Sequence, residues 1–525
     1  MDGNVYAQPL IASGVQAAGR RGTRNLAIVA TEHNSIYAFD ADDVDENSAS
    51  ALVWHAGPDV LGSSIETQTL FADMERTGCP DLTPEVGITG TPVIGLTNGA
   101  TPRDGTIFVA AKSKSGDAYH YKLFALRLSD GAKVGSIEIE GEVAGKGRGS
   151  VGDGDDAKLR FNPKIQLNRP GLLLAGNILY VAFGGHCDFD RYHGWLFAYD
   201  VSNPQAIRLV SVLCTTPNST GPNGDRDSLD GGAGIWMAGE GPSADAAGRV
   251  YFVTGNGSND KSSEFGDSVI QTVLHGGRLQ VPDWFSPENQ DQLKITDFDL
   301  GSSGVVLLPE SRVVVAAGKE GRLYLLDRDQ LGKGAGAPLD SVQVTQVSVP
   351  PRSYGLFGTP VVWQRGDHLF LYTAGVEDPV RQYRLVRDFQ GAGWKLESQQ
   401  PFKSSVHTEP YPNFPGGSVT LSASGAREDS GILWVLMPVE GNASVMSVRG
   451  RLRAFDASDV SKPPLWDSEE SGEDSYGFYA KFNPPTIANG KVYVPTFRSE
   501  DSPAALVIYG LRQPASTTTA SQRAR

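Results

Sequence analysis

The sequence has little of what several protein classes require. Its three cysteines, Cys79, Cys187 and Cys214, are too few for a disulfide scaffold and lack the CxxC spacing of zinc and haem sites. No apolar run approaches the roughly 18 residues of a membrane span, and the start MDGNVYAQPL lacks the order of a signal peptide. Basic residues (46) are outnumbered by acidic ones (61), which opposes binding to nucleic acid. We therefore expect no membrane span and no nucleic-acid partner.

Glycine and proline, in contrast, are abundant. The chain has 62 glycines and 32 prolines, while its hydrophobic fraction is still 39%. This composition is typical of a globular, turn-rich protein. Short segments rich in Val, Ile, Tyr and Phe alternate with turns that contain Gly or Asp, and no convincing helical period is present. The pattern predicts an all-β fold.

One phrase recurs along the chain: an apolar strand, a turn, and a second apolar strand that ends in aromatic–Ala–aromatic–Asp. The clearest copy is NLAIVATEHNSIYAFDADD, residues 25–43. Other copies, several of them partial, occupy 106–131, 178–203, 249–257, 312–330, 369–385, 434–459 and 491–511. Eight such units predict a single eight-bladed β-propeller of four-stranded antiparallel blades, with seven blades as the alternative.

The whole chain, 1–525, is predicted to be one propeller domain. Its blade units are approximately 4–54, 87–137, 168–214, 232–300, 301–348, 354–400, 416–466 and 480–511. The last residues, 512–525, are predicted to form a disordered C-terminal tail.

The segments YAFDADD, FAYDVSN, LLDRDQ and RAFDASD resemble the repeat of the pyrroloquinoline quinone (PQQ) type propellers, the quinoprotein alcohol dehydrogenase-like family. Trp54 and Trp466 stand near the tryptophan position of that repeat. The resemblance covers nearly the whole chain. In that family the N-terminus supplies the outermost strand of the last blade, and no such strand precedes Asp2. We therefore expect a truncated closing strand, a removed secretion signal and an extracellular or periplasmic location.

One face of the predicted propeller is expected to carry the binding site. With the strands of a blade labelled A to D from the channel outwards, the B–C loops and the D–A connections emerge on the same face. The long connections 55–87, 138–168, 215–233 and 386–416 are of the D–A type, and a further insertion is expected at about 258–300.

The residues just before each A strand are predicted to ring the channel mouth. The ligand-binding candidates are Glu85, Arg169, Trp236, Glu240, Glu409, Lys481 and Asn483, and the catalytic candidates among these positions are His407, Tyr354 and Tyr479. Aromatic faces with fixed charged groups suit a polar, anionic or sugar-like ligand. The aromatic residues are explained equally well as wedges between blades.

The densest cluster is GHCDFDRYHGW, residues 185–195, in the B–C loop of the third unit. His186 and His193 are candidates for acid–base chemistry, and Asp188 and Asp190 are candidate metal ligands, although a hairpin loop directs alternate side chains apart. Cys187 and Cys214 are predicted to form a disulfide that braces this loop, with Cys79 as the other possible partner.

Three functions remain open from the sequence. The first is an extracytoplasmic propeller that binds a polar small molecule or a sugar-like ligand at the channel mouth without converting it. The second, implied by the resemblance, is a PQQ- and calcium-dependent oxidoreductase of alcohols or sugars. The chain lacks the vicinal Cys-Cys pair and the haem CxxCH of that family's alcohol dehydrogenases, and it shows no obvious Glu/Asn/Asp calcium set. The third is a propeller lyase or hydrolase that acts on a carbohydrate.

Overall fold

The apolar segments of the repeat form strands that pair in chain order into eight antiparallel sheets, so the predicted eight-bladed β-propeller is confirmed. The computed structural model describes residues 1–43, 51–76, 82–96, 105–188, 191–219, 232–345, 355–407, 414–439 and 441–511. Among these residues no helix is both long enough and apolar enough to cross a membrane.

The first half of the chain contains the elements β1 (Leu10–Val15), β2 (Arg24–Thr31), β3 (Ser35–Asp40), β4 (Leu52–Ala56), α1 (Pro58–Leu61), β5 (Ile65–Glu66), α2 (Thr67–Asp73), β6 (Glu85–Val86), β7 (Val93–Gly95), β8 (Thr106–Ser115), β9 (Ala118–Arg127), β10 (Lys133–Glu138), β11 (Glu142–Ala144), β12 (Lys158–Arg160), β13 (Gln166–Leu167), β14 (Leu173–Ala175), β15 (Ile178–Gly185), β16 (Trp195–Asp200), β17 (Arg208–Cys214), β18 (Ser243–Ala244) and β19 (Val250–Val253).

The second half contains β20 (Val269–His275), β21 (Arg278–Phe285), α3 (Gln290–Thr296), β22 (Val305–Leu307), β23 (Val313–Ala317), β24 (Arg322–Asp327), β25 (Asp340–Gln343), β26 (Val361–Arg365), β27 (His368–Thr373), β28 (Pro379–Asp388), β29 (Gly393–Leu396), β30 (Phe402–His407), β31 (Ser418–Ser422), β32 (Ile432–Pro438), β33 (Gly450–Asp456), β34 (Trp466–Asp467), β35 (Thr486–Ala488), β36 (Lys491–Pro495) and β37 (Leu506–Tyr509). Short 3₁₀ turns occupy Gly154–Asp156, Met237–Gly239, Leu300–Ser302 and Gly472–Asp474.

The blades follow the chain. Blades 1 to 8 are β1–β4, β7–β10, β14–β17, β18–β21, β22–β25, β26–β29, β31–β34 and β35–β37. β13 also pairs with β15, β30 also pairs with β28, and β5–β6 and β11–β12 form two short ribbons. Within the described residues the eighth sheet has three strands. Its inner end meets blade 1, where the Thr486 hydroxyl donates to the Pro9 carbonyl at 2.8 Å.

The second strand of each blade lies between two neighbouring sheets, which explains its continuous apolar sequence. β23, VVVAA, is buried at every position, and β2 is buried at six of its eight positions. Side chains that alternate between the two faces of such a strand enter two different cores, so both faces require apolar residues.

The aspartate that ends the recurring phrase closes a turn after the third strand. Its carboxylate accepts the backbone N–H two residues later, at 3.1 Å for Asp40, 2.9 Å for Asp200, 3.0 Å for Asp327 and 2.8 Å for Asp456. This Asx turn is a local preference of aspartate, so it recurs with the blade.

The tryptophan of the first repeat joins two blades. The indole N–H of Trp54 donates to the carbonyl of Leu128 in blade 2 at 3.0 Å. Its ring fills the space beside Gly131, where a Cβ atom would lie 2.5 Å from the indole.

Residues 258–300 differ from the sequence prediction of an insertion. They contain β20 and β21, the third and fourth strands of blade 4, followed by α3. β20 has the sequence VIQTVLH and lacks the aromatic–Ala–aromatic–Asp ending, which is why the pattern missed it.

Candidate functional site

A pocket of about 210 Å³ opens at the channel mouth, between the B–C turns and the residues that precede the A strands. It is lined by Arg169, Gly185, Cys187, Asp188, Trp236, Ala238, Asp299, Gly301, Ser302, Lys319, Phe357, Phe414, Ser444 and Phe482. Side chains from blades 3 to 8 therefore contribute to one cavity, as the predicted binding face requires.

Trp236 forms one surface of the pocket and is held rigidly. Its indole N–H donates to the Gly185 carbonyl at 2.9 Å. Three glycines, Gly184, Gly234 and Gly255, pack against the ring, and a Cβ atom on any of them would lie 2.5 to 2.7 Å from an indole atom. Such distances are shorter than van der Waals contact, so only glycine fits at these positions. The result is a flat aromatic surface of fixed orientation.

A half-buried cation lies beside this surface. The Lys319 ammonium is 2.8 Å from a carboxylate oxygen of Asp297 and 2.5 Å from one of Asp299. Burial raises the pKa of Asp299 to about 7, although Lys319 opposes this shift. Asp299 can therefore exchange a proton near neutral pH, which is a property of acid–base residues.

A second buried carboxylate lies behind Asp299. Asp267 accepts hydrogen bonds from the backbone N–H of Leu300 and from the Gln290 side chain, both at 3.1 Å. Burial, together with the negative charge of Asp299, raises the pKa of Asp267 to about 8. The two acids thus disfavour each other's ionisation.

Asp188 is presented to the pocket by a strained turn. Both Cys187 and Asp188 have left-handed backbone conformations, with φ of 50° and 52°. The Tyr192 hydroxyl donates to Asp188 at 2.6 Å and also lies 3.4 Å from Asn256, whose amide lies 3.4 Å from Asp297. Oxygen-bearing side chains from blades 3, 4 and 5 are thereby connected in one polar network.

Backbone strain recurs around this pocket. Besides Cys187 and Asp188, the lining residues Ala238 and Phe482 have φ of 48° and 60°. Non-glycine residues adopt such conformations at a cost of about 1–3 kcal/mol each, and they concentrate at functional sites. This is independent support for the pocket as the functional site.

Two of the predicted ligand-binding residues, Arg169 and Trp236, line the pocket. The Arg169 guanidinium lies 4.7 Å from the centre of the Phe482 ring and 5.1 Å from that of Tyr6. Lys481 is buried next to it, 5.8 Å from the centre of the Tyr6 ring. Two cations therefore lie close to the channel mouth.

The other described candidates lie outside the pocket lining. Asn483 donates to the Ala7 carbonyl at 2.9 Å, and Glu85 accepts from His33 at 2.7 Å and from Ser64 at 2.6 Å. Tyr479 is fully buried, which raises its pKa to about 12. Tyr354, Glu409, Asp190 and the side chain of His407 lie outside the described residues.

The two histidines of the 185–195 loop are buried and hydrogen-bonded. His186 accepts from the Lys112 ammonium at 2.8 Å, and burial lowers the pKa of both groups. His193 contacts the Thr216 hydroxyl at 2.8 Å and the Arg148 carbonyl at 2.9 Å, and burial lowers its pKa to about 4. Both imidazoles hold loops in place, and the structure does not bring them to the pocket.

The predicted Cys187–Cys214 disulfide is wrong. Cys187 is disulfide-bonded, whereas Cys214 is a free thiol. Cys214 ends β17 with its side chain in the core between blades 2 and 3, where burial raises its pKa well above the ordinary value. The remaining cysteine, Cys79, lies outside the described residues.

The metal prediction for Asp188 and Asp190 stays a prediction. In the part of the chain that the structure describes, no group of three His, Cys, Asp or Glu side chains is arranged to hold a metal ion.

Sequence reasoning did not single out Asp299, Lys319 or the three phenylalanines of the pocket. Lys319 lies between β23 and β24, in the B–C turn of blade 5. Lys319 occupies the place in blade 5 that Asp188 occupies in blade 3. Inspection of the B–C turn of every blade would therefore have identified Lys319.

Glu240 lies outside the pocket lining, beside Gly304 of blade 5, and gives a testable pH effect. Burial raises its pKa from 4.5 to about 7. A raised carboxyl pKa adds stability below the unfolded value, and this stability is lost as the pH rises through the folded value. Glu240→Gln should therefore raise the free energy of unfolding by less than about 1 kcal/mol at pH 5 and by about 3 kcal/mol at pH 8. Urea denaturation at both pH values checks this, with the exposed Glu288→Gln as the control; equal effects at both pH values would contradict it.

Comparison with known proteins finds similarity to solved structures alone. No protein-family model and no curated protein matches the chain. Among solved structures, the quinohemoprotein alcohol dehydrogenase ADHIIG of Pseudomonas putida HK5 is similar over 96% of this chain and 72% of its own, at 14% identity and a TM-score of 0.47. The quinohemoprotein alcohol dehydrogenase of Comamonas testosteroni is similar over 94% of this chain and 71% of its own, at 13% identity and a TM-score of 0.46.

Other solved structures are similar to a comparable extent. Sqt1 of Saccharomyces cerevisiae covers 97% of this chain at 10% identity and a TM-score of 0.43, with all of its own chain covered. The computationally designed Ika8 protein covers 96% of this chain at 10% identity and a TM-score of 0.41, with 99% of its own chain covered.

Proposed function

We propose that the pocket binds a flat, conjugated anion against Trp236 and that the protein is an oxidoreductase of alcohols, with PQQ as the cofactor that the sequence resemblance implies. The observation that carries the proposal is the juxtaposition in one pocket of a rigid indole surface and a buried carboxyl group, Asp299, whose pKa is about 7.

The residues present fit such a cofactor. The indole of Trp236 is fixed by three glycines and offers a stacking surface to a planar ring system. Arg169 and Lys319 line the same cavity and carry the positive charge that carboxylate groups require. When bound, PQQ would supply the two-electron acceptor that none of the side chains provides.

The role of Asp299 in this proposal is that of a base. An alcohol that becomes an aldehyde or ketone loses two electrons and two protons, and the hydroxyl proton needs an acceptor within reach. The Asp299 carboxylate can accept that proton, while Lys319, 2.5 Å away, stabilises its ionised form.

Calcium is a second candidate cofactor. Asp188, Asn256 and Asp299 offer oxygen atoms from three consecutive blades, and Ca²⁺ prefers oxygen ligands. Because the Lys319 ammonium already balances the charge of Asp299, PQQ binding is best measured both with and without Ca²⁺.

The test is a titration of the purified protein with PQQ, with and without CaCl₂, followed by tryptophan fluorescence, cofactor absorbance and alcohol-dependent dye reduction. We expect binding near one PQQ per chain and turnover that rises between pH 6 and pH 8, because Asp299 must be ionised. Asp299→Asn should keep binding and lose at least about 100-fold in turnover. Absence of PQQ binding at tens of micromolar would refute the proposal.

Binding without conversion is the second candidate, favoured by the ion pair between Lys319 and Asp299, which ties up the carboxylate. In that case PQQ or another planar anion would bind and no dye would be reduced. Arg169→Ala should weaken binding by about tenfold or more in either case.

An extracytoplasmic location is part of the proposal. Its support is the disulfide at Cys187, because such bonds persist in oxidising compartments and are rare in reducing ones.

A further inference from the structure

A second cavity, of about 340 Å³, lies between the connection that joins blades 2 and 3 and the loop that follows β15. It is lined by Arg148, Gly149, Leu159, Arg160, Asn162, Ile165 and Arg191. None of these residues lines the pocket beside Trp236, so the two cavities are distinct. We call the second one the arginine cavity.

Three guanidinium groups converge on the arginine cavity from three separate segments. Arg148 lies in the loop between β11 and β12, Arg160 ends β12, and Arg191 lies in the loop between β15 and β16. No acidic residue occurs among the described residues that line the cavity, in a chain whose formal net charge is −15. Because like charges that share a cavity repel one another, an anion placed among the three groups would be stabilised.

The loop that carries Arg148 is fixed by hydrogen bonds to neighbouring segments. The Arg148 N–H donates to the Ser219 carbonyl at 2.8 Å, and the Gly147 N–H donates to the Pro217 carbonyl, also at 2.8 Å. The Arg148 carbonyl accepts from the imidazole of His193 at 2.9 Å. The backbone of this loop is therefore positioned before any ligand binds, which lowers the entropic cost of binding.

Gly149 brings two of the three arginines together. A Cβ atom on Gly149 would lie 3.7 Å from Cδ of Arg191, so the glycine packs along the aliphatic part of that side chain. Gly149 also has a φ of 87°, a backbone conformation that favours glycine. Since Arg148 directly precedes this glycine, the contact places Arg191 beside Arg148.

The third arginine keeps hydrogen-bond donors for a ligand. Nε of Arg160 lies 3.2 Å from one carboxylate oxygen of Glu142, and the other oxygen of Glu142 is ion-paired with Lys158. One negative charge is thus shared between two cations. An arginine has five N–H donors, so an ion pair with one carboxylate leaves donors for a second anion. The same holds for Arg148 and Arg191, whatever carboxylates they contact elsewhere.

The chemistry of guanidinium groups specifies the class of ligand. Their planar forks match pairs of oxygen atoms on phosphate, sulfate and carboxylate groups. Three forks around one cavity suit an anion with more than one charge and with oxygen atoms that point in several directions. Phosphate and sulfate meet both conditions, and the cavity volume of about 340 Å³ is within the range of small-molecule sites.

We propose that the arginine cavity binds a multivalent tetrahedral oxyanion, phosphate or sulfate, as the free ion or as the charged group of a small ester. This proposal is independent of the oxidoreductase proposal, because neither Trp236 nor Asp299 takes part in the binding.

The experiment is a calorimetric titration of the purified full chain, without PQQ, at constant ionic strength. The probes are inorganic phosphate, sulfate, acetate and glycerol 3-phosphate. We expect phosphate or sulfate to bind at one ion per chain with a Kd below about 1 mM, at least about tenfold more tightly than acetate. Tighter binding of glycerol 3-phosphate than of phosphate would assign the site to an ester, and weaker binding would assign it to the free ion.

Two variants connect the binding to the cavity. Arg191→Ala and Arg160→Ala should each weaken phosphate binding about tenfold. Both side chains are exposed, so the melting temperature without phosphate should stay unchanged. Arg427→Ala is the matched control, because Arg427 is also exposed and ion-paired, with Asp429, and does not line the arginine cavity.

Three results would overturn the proposal. The first is phosphate and sulfate affinity no greater than that of acetate, which would mean that the arginines form only a solvated surface. The second is wild-type phosphate affinity in both Arg191→Ala and Arg160→Ala. The third is an equal loss in Arg427→Ala, which would indicate non-specific attraction. The PQQ titration is a separate measurement, so either proposal can fail while the other stands.

Discussion

Replacing Lys319 by alanine should destabilise the protein by about 3 kcal/mol at pH 8. The substitution removes the cation between Asp297 and Asp299 and leaves the buried Asp299 charge without compensation, which is more costly than losing a surface ion pair. Without the ammonium, the pKa of Asp299 rises further, since Lys319 is the main influence that lowers it.

The sign of the pH effect follows from this rise. The native variant binds the Asp299 proton more tightly than the unfolded chain does, so the stabilising contribution of that proton is present below about pH 4 and is lost as the pH rises through the folded pKa. The defect of Lys319→Ala should therefore shrink toward pH 5. Urea denaturation of the wild type and of Lys319→Ala between pH 5 and pH 8 measures this difference in the free energy of unfolding.

A double substitution provides the control. Lys319→Ala combined with Asp299→Asn removes both charges, and it should recover most of the lost stability at pH 8. Lys333→Ala is the matched control for loss of a lysine, because no ion pair of Lys333 occurs in the described structure. A defect independent of pH, or one that the second substitution leaves unchanged, would contradict the ion-pair explanation.

Gly255→Ala should abolish ligand binding while the propeller stays folded. The new methyl group would lie 2.5 Å from the Trp236 ring and 2.9 Å from a carboxylate oxygen of Asp299, so one substitution displaces both the aromatic surface and the proposed base. We expect at least about a 100-fold loss of PQQ affinity, with a cost of about 1–3 kcal/mol in stability from overpacking.

Gly472→Ala is the matched control for Gly255→Ala, because a Cβ atom there meets nothing within 4 Å. Trp236 fluorescence, obtained by difference with Trp236→Phe, reports whether the indole has moved. Wild-type affinity in Gly255→Ala would show that the ligand does not use the Trp236 surface, and unfolding of the variant by circular dichroism would show that the glycine is structural.

The sequence predicted the fold because the determinants of a blade are local. The Asx turn of Asp40 and the continuous apolar run of β23 are both contained within a few residues, and they recur with each unit. The strand β20 shows the limit, since its sequence omits the aspartate ending and its place in blade 4 is fixed by pairing with β19 and β21.

The site was only partly predictable because its contacts are not local. Trp236 and Arg169 precede A strands, so topology alone placed them at the mouth. The importance of Asp299 depends on Lys319, which lies in a different turn of the same blade, and that of Phe357 depends on Phe414 from the next blade, so no single segment shows either pair. His186 and His193 mislead for the same reason, since Lys112 and Arg148, which hydrogen-bond them, lie many residues earlier in the sequence.

The left-handed residues around the pocket have a consequence for engineering. A screen for thermostable variants would favour glycine at Asp188 and Phe482, because glycine adopts these backbone angles without strain. Each such gain would remove a side chain that lines the cavity. Heat-resistant variants selected without an assay for binding should therefore accumulate losses at these two positions, and the pattern of losses would itself map the site.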